Sequence, residues 1–134
     1  MSRILLVEDN AGDAQLMRIA LAEALPDARL SVAGDGEQAL TALRERGPFE
    51  LVLLDLNLPR MSGHEVLAAV RDDTDPQLRR QPVVVLTSSE ASSDVERSYE
   101  LGASSHIRKP LELDELFETV ESLTRYWFAT VTLP

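Results

Sequence analysis

The sequence predicts an α/β domain in which five parallel strands form one sheet with helices on both faces. Three unbroken apolar runs, at residues 4–7, 51–54 and 83–86, indicate strands that are buried on both faces. Segments with helical spacing of apolar residues lie between the strands, so strand and helix alternate along the chain. This alternation implies parallel strands joined by right-handed crossovers.

Two weaker strands complete the sheet. Residues 30–32 alternate in polarity, as an edge strand does, and residues 105–108 provide the fifth strand. The three most apolar strands are expected at the centre, which gives the order 2-1-3-4-5.

Five helices are predicted from apolar spacing and from Gly or Pro stop signals, at residues 14–25, 38–46, 64–71, 93–101 and 113–123. Residues 72–82 are expected to be a polar loop. The tail at 126–134 is apolar, and its composition does not continue the helix pattern. We therefore divide the chain into a domain at 1–124 and an apolar extension at 125–134.

Composition limits the function. The chain has 134 residues, no cysteine and a net charge of -10. The length suits one domain, and the missing thiols exclude disulfides and thiolate metal sites. The acidic balance disfavours DNA and anionic membranes as partners. With no apolar run long enough for a membrane span and no room for a signal peptide, we expect a cytoplasmic protein.

Polar side chains follow the predicted strands where each strand ends: Glu8 and Asp9, Asp55, Thr87 and Ser88, and Lys109 with Pro110. In a parallel sheet these ends share one edge, and ligands of open α/β sheets bind there. Three neighbouring carboxylates repel unless a cation joins them. Oxygen ligands favour Mg²⁺. The simpler alternative is that Glu8 and Asp9 only open the following helix, where acidic residues suit the dipole.

Asp55 has the chemistry of a nucleophile that takes up a phosphoryl group. A metal ion and a cation such as Lys109 would stabilise the charge of the transition state, and Thr87 offers a hydroxyl to a phosphoryl oxygen. Taken singly, Thr87 or Ser88 could instead be a helix cap and Lys109 a surface lysine.

Together these residues resemble the receiver domain of a two-component response regulator of the CheY type, a flavodoxin-like fold. The matching segments are ILLVEDN at 4–10, LLDLNLPRMSG at 53–63, VLTS at 85–88 and the stretch at 102–110, and the likeness covers about residues 3–124. The resemblance implies that Asp55 is the phosphoacceptor, with Thr87 and Lys109 stabilising the phosphoryl group. It also implies a site for Mg²⁺ or Mn²⁺ formed by Asp9, Asp55 and the Asn57 backbone carbonyl, with Glu8 acting through water.

The same resemblance implies a cis bond before Pro110, and it places a switch residue at position 106 that moves together with Thr87. The family usually has Tyr or Phe there, whereas this chain has His106. The histidine could couple to Thr87, or it could be an ordinary edge-strand residue. Asn57 and Ser89 are expected to tune the phosphoryl lifetime.

The start of the chain, with Asn10, Asp13 and Leu16, and its end resemble the small single-domain regulators that partner bacterial and cyanobacterial phytochromes. That likeness implies a phytochrome histidine kinase as donor, docking around residues 13–17, and a homodimer. The apolar tail supports either a dimer contact or docking on its own domain; its large apolar residues are Trp127, Phe128, Val131 and Leu133.

We therefore expect a phosphorelay regulator that catalyses only its own phosphotransfer and dephosphorylation, and whose changed surface, at the fourth helix, fifth strand and last helix, binds a protein rather than DNA. Three alternative functions fit the sequence less well. A haloacid dehalogenase-type phosphohydrolase would need an acid at the position of Asn57. A toprim-like nucleic-acid enzyme would need a basic groove. A receiver that binds partners without phosphorylation would not need the complete set of Asp9, Asp55, Thr87 and Lys109.

Overall fold

The computed structural model describes residues 2–88 and 91–130, with only the backbone described at 129 and 130. Its five strands form one sheet in the order β2-β1-β3-β4-β5, and every neighbouring pair is parallel. The predicted fold class and strand order are thus confirmed. The strands are β1 Arg3–Val7, β2 Arg29–Ala33, β3 Leu51–Leu54, β4 Val83–Thr87 and β5 Ser105–Arg108.

Within the described part of the chain, six α-helices connect and flank these strands: α1 Ala11–Ala24, α2 Gly36–Arg46, α3 Gly63–Arg71, α4 Pro76–Arg79, α5 Ser92–Glu100 and α6 Leu113–Arg125. α1 begins three residues before the prediction because the Asn10 side chain caps it by accepting a hydrogen bond from the Asp13 amide. The prediction of a loop over residues 72–82 was wrong in part, because this segment contains the short helix α4. Asp75 caps α4, and Pro76 occupies its first turn.

The core lies in two layers, one on each face of the sheet. Successive residues of β1 alternate, so Leu5 and Val7 pack against α2 and α3, while Ile4 and Leu6 pack against α1 and α6. The chain's central strands are buried on both faces, as their unbroken apolar runs predicted.

The expectation that the tail does not continue the helix pattern is wrong. α6 runs to Arg125, and Tyr126–Thr130 continues as a π-helical turn. Leu116, Val120, Leu123 and Trp127 recur on one helical face and enter the same core, so the tail extends the apolar stripe of α6. Val131 and Leu133 lie outside the described residues.

The cis bond expected before Pro110 is absent; the described residues have a cis bond at Gly47–Pro48 instead. An X-Pro bond prefers trans by only ~0.5–1 kcal/mol, so the local surroundings decide each isomer.

No helix within residues 2–88 and 91–130 is long and apolar enough to cross a membrane.

Candidate functional site

The ends of four strands bring the predicted site residues to one edge of the sheet. The Asp55 amide donates to the Val7 carbonyl at 3.1 Å, which places Asp55 next to Glu8, the residue that follows the neighbouring strand. The Lys109 amide donates to the Thr87 carbonyl at 2.6 Å, and Leu54 pairs with Val85 between them. The parallel register therefore aligns residues that lie far apart in sequence.

Lys109 joins the two buried carboxylates. Its Nζ lies 2.6 Å from Glu8 Oε2 and 3.1 Å from Asp55 Oδ2. Asp13 Oδ2, at the start of α1, lies 3.6 Å from the same nitrogen. The ammonium group thus stands among three acidic side chains and is largely shielded from solvent.

The second carboxylate oxygen of Asp55 is fixed by two donors. The Asn57 amide lies 3.0 Å from Oδ1, and the Thr87 hydroxyl donates to the same oxygen at 3.1 Å. Asp55 is only 7% exposed and Thr87 is fully buried at 0%. Each oxygen of the carboxylate therefore has its own set of donors. These donors hold the group in one orientation at a position that is largely shielded from water.

Burial and charge act in opposite directions on these groups. Burial alone would raise the pKa of Asp55, but the Asn57 amide and the Lys109 charge outweigh it, so the pKa lies below its ordinary value. Burial also raises the pKa of Glu8, which Lys109 offsets only in part. Burial would lower the pKa of Lys109, yet its bond to Glu8 and the nearby carboxylates raise it. Asp55 is thus an anion beside a cation at neutral pH.

The structure does not gather Glu8, Asp9 and Asp55 into a preformed ion cage. Across residues 2–88 and 91–130, no three carboxylate or imidazole groups are arranged to hold a metal. Glu8 instead binds Lys109, and the Asp9 side chain is exposed to solvent. The donor set still suits a hard divalent cation, because it consists of carboxylate and carbonyl oxygens.

The loop after Asp55 is shaped by residues whose role the sequence did not reveal. Arg60 has a positive φ of 65°, unusual for a residue with a side chain, and its guanidinium lies 2.7 Å from Asp35 Oδ2. A Cβ on Gly63 would overlap the Asp55 carbonyl oxygen, so only glycine fits there. The Gly63 position lies in the motif, but no sequence signal indicates the Arg60–Asp35 pair.

Other predicted site residues lie elsewhere. His106 makes no described contact with Thr87; its Nδ1 lies 2.9 Å from Ser98 Oγ. Trp127 is 8% exposed and packs in the core, with Phe128 half-buried beside it. Ser89 lies outside the described residues.

A doubly wound sheet with an oriented aspartate, a lysine and a buried threonine at its carboxyl edge defines the receiver class of signalling domains. The family model "Response regulator receiver domain" matches residues 4–121, and the chain belongs to that family. It is accordingly a response regulator of two-component phosphorelay signalling.

Its relatives include phytochrome-associated proteins. It is 42% identical to the response regulator Rcp1 of Synechocystis sp., over 98% of this chain and 92% of Rcp1. The phosphorylated cyanobacterial phytochrome response regulator RcpA matches with a TM-score of 0.91 and 39% identity, over 99% of this chain and 98% of RcpA. The Mn²⁺-bound crystal structure of Rcp1 matches with a TM-score of 0.88 and 41% identity, over 100% and 99% of the two chains.

Proposed function

We propose that Asp55 accepts a phosphoryl group from the phosphohistidine of a histidine kinase, and that the new charge changes a protein-binding surface. The observation that carries this proposal is the Asp55 carboxylate, ionised and oriented by Lys109, Thr87 and the Asn57 amide. Because the carboxylate is already oriented, little reorganisation is needed before reaction.

In the proposed transfer, an oxygen of Asp55 forms a bond to phosphorus while the phosphorus–nitrogen bond of the donor breaks. The Lys109 ammonium neutralises charge on the phosphoryl oxygens, and the Thr87 hydroxyl donates to one of them. Lys109 now divides its contacts between Glu8 and Asp55, so it can turn toward the phosphoryl group without leaving the pocket.

A divalent cation, Mg²⁺ or Mn²⁺, would neutralise the remaining phosphoryl charge when bound. We propose that Asp9, Asp55 and the Asn57 backbone carbonyl hold it and that Glu8 acts through water. Asp9 is exposed and therefore accessible to an ion, and the Mn²⁺-bound form of Rcp1 supports a metal in this family. Asn57 and Ser89, as neighbours of the site, would influence the lifetime of the acyl phosphate.

The kinase is proposed to dock beside the start of α1. Exposed apolar side chains surround the pocket mouth there: Leu16, Leu111 and Leu113, with Leu111 88% exposed. A cavity of about 220 Å³ lies between Asp13, Met17, Lys109 and this apolar rim. The similarity to Rcp1 and RcpA favours a phytochrome histidine kinase as the donor.

We further propose a homodimer formed by β5, α6 and the tail. Tyr126 is exposed, and it borders a cavity of about 480 Å³ together with Ile107, Leu123 and Trp127. Phe128 is half-buried next to Trp127, and we include it in the proposed interface together with Val131 and Leu133. Residues 125–134 are then an interface extension of the receiver domain at 1–124, and the output is a protein contact, without nucleic acid or membrane.

On this proposal the protein is no enzyme with a free product; it catalyses only its own phosphotransfer and dephosphorylation, and it works in the cytoplasm beside its kinase. The test is intact mass after addition of acetyl phosphate and Mg²⁺. The wild type should gain one phosphoryl mass, Asp55→Asn should gain none, and Asp27→Asn, an exposed matched change, should behave as the wild type.

The same experiment separates the second candidate. A receiver-like module that binds partners without phosphorylation would take up no phosphoryl mass and would not respond to beryllofluoride with Mg²⁺. The full set of hydrogen bonds on Asp55 favours phosphotransfer, because a binding module would have no need to orient this carboxylate.

A further inference from the structure

Both histidines of the chain contact one serine hydroxyl. Ser98 Oγ lies 3.1 Å from His64 Nε2 and 2.9 Å from His106 Nδ1. His64 belongs to α3, Ser98 to α5 and His106 to β5, so a single oxygen joins three elements. Ser98 is fully buried at 0% exposure, and it is the one buried residue of α5.

The hydrogen-bonding capacity of this oxygen defines which nitrogen of each imidazole ring carries a proton. A serine hydroxyl has one donor and two acceptor positions. Ser98 donates to the Asp94 carbonyl at 2.9 Å, one helical turn earlier. Its two acceptor positions are then filled by N–H groups from His64 Nε2 and His106 Nδ1. All three hydrogen bonds are satisfied together only with His106 carrying a proton on Nδ1.

The His106 ring depends on this oxygen. Its other nitrogen, Nε2, is buried and has no hydrogen-bond partner among the described residues. The neighbouring residue of α5, Tyr99, accepts the His106 backbone N–H at its hydroxyl, at 3.1 Å. Two successive residues of α5 therefore hold the side chain and the backbone of His106.

Apolar packing contributes little to holding α5 in place. Its first turn begins at Ala91 without a side-chain cap, and no apolar residue of the helix is buried. α3 also reaches the segment that follows α5, where Arg71 donates to the Gly102 carbonyl at 2.8 and 2.9 Å. Few buried apolar contacts are typical of elements that open or move readily, because such elements lie at the low-stability end of a fold.

We propose that Ser98 is the positioning residue that holds His106 in its resting orientation and, through His64, connects α3 to the signalling face of α5 and β5. This inference rests on the proposed phosphorylation of Asp55. α3 directly follows the loop that carries Asn57, whereas His106 pairs with Val85, two residues before Thr87 on β4. A rotation of the His106 side chain toward Thr87 would break its hydrogen bond to Ser98. One of the hydrogen bonds that hold α5 would thereby be lost.

The test compares Ser98→Ala with Ser93→Ala, an exposed serine on the same helix, in a beryllofluoride titration with Mg²⁺ followed by NMR. Loss of the resting hydrogen bond should lower the beryllofluoride midpoint about two- to tenfold in Ser98→Ala. Ser93→Ala should match the wild type. Ser98→Cys, which keeps the size with weaker bonding, should fall between them and serves if the alanine variant is poorly folded.

Two readouts distinguish positioning from simple packing. Imidazole ¹⁵N shifts should show a proton on His106 Nδ1 in the wild type and a change in Ser98→Ala. In a His106→Phe background, Ser98→Ala should no longer move the midpoint, because the bond to be lost is already absent. Equal shifts in both backgrounds, or an unchanged midpoint in Ser98→Ala and Ser98→Cys, would overturn the proposal. A wild type without any beryllofluoride response would overturn phosphorylation itself, and the role of Ser98 with it.

Discussion

Lys109 and Glu8 are 101 residues apart in sequence, yet Lys109 Nζ lies 2.6 Å from Glu8 Oε2 at the edge of the sheet. The ammonium group neutralises two buried carboxylates that would otherwise face each other uncompensated. A metal ion at the same edge would supply positive charge of the same kind. Lysine and metal are thus expected to compete for the charge of Glu8 and Asp55.

Replacing Lys109 by Met should separate these two roles. Removing one partner of a buried pair leaves uncompensated charge, so the free energy of unfolding without metal should fall by about 3 kcal/mol. Saturating Mg²⁺ or Mn²⁺ should restore much of that loss, and the affinity for the metal, measured by calorimetry, should rise. Phosphoryl uptake should nevertheless fall, because the transition state loses the ammonium group.

Arg18→Met provides the control for Lys109→Met, since it removes the same charge from an exposed position of α1. Its stability and metal affinity should be nearly those of the wild type. If Lys109→Met bound the metal more weakly than the wild type, Lys109 would be supporting the metal site rather than competing with it.

Gly63 should be indispensable to the geometry of Asp55, the proposed phosphoacceptor. A Cβ at this position would overlap the backbone oxygen of Asp55, so Gly63→Ala must displace the strand end or the start of α3. We expect a loss of about 1–3 kcal/mol in urea unfolding, together with slower phosphoryl uptake. At Gly34 the nearest atom would be an ordinary 3.6 Å away, so Gly34→Ala should leave both measurements almost unchanged. Equal effects of the two substitutions would refute the steric argument.

Much of the site was predictable because a parallel sheet imposes a common edge on its strand ends. Asp55, Thr87 and Lys109 follow recognisable strands, so their proximity follows from topology alone. The pairing of Lys109 with Glu8 was not predictable in detail, since it depends on which oxygens a flexible side chain reaches. The metal was expected from three carboxylates, whereas Asp9 in fact lies outside the buried pair.

The contacts between helices were beyond prediction for a different reason. Apolar spacing indicates which face of a helix is buried, and α5 buries only Ser98. The contact of Ser98 with both histidines depends on the placement of α3, α5 and β5 in space. The tail was misjudged because its composition was considered apart from α6, although Trp127 continues the apolar stripe of Leu116, Val120 and Leu123.

The strain at Arg60 should be measurable. A residue with a Cβ costs about 1–2 kcal/mol in the left-handed region, and glycine does not. Arg60→Ala keeps that cost and loses the ion pair with Asp35, whereas Arg60→Gly loses the pair but relieves the strain. Urea unfolding should therefore find Arg60→Gly about 1 kcal/mol more stable than Arg60→Ala. On the exposed face of α1 the order should reverse, with Arg18→Ala more stable than Arg18→Gly by a similar amount.

The proposed dimer surface offers the remaining prediction. Tyr126 is exposed at the edge of the β5–α6 cavity, so Tyr126→Glu should bury a charge in the proposed interface and lower the sedimentation coefficient to that of a monomer. Its thermal stability as a monomer should change little. Leu111→Glu places the same charge at the opposite, phosphoacceptor edge and should leave the dimer intact. If Leu111→Glu dissociated the protein while Tyr126→Glu did not, the interface would lie at the kinase-docking edge instead.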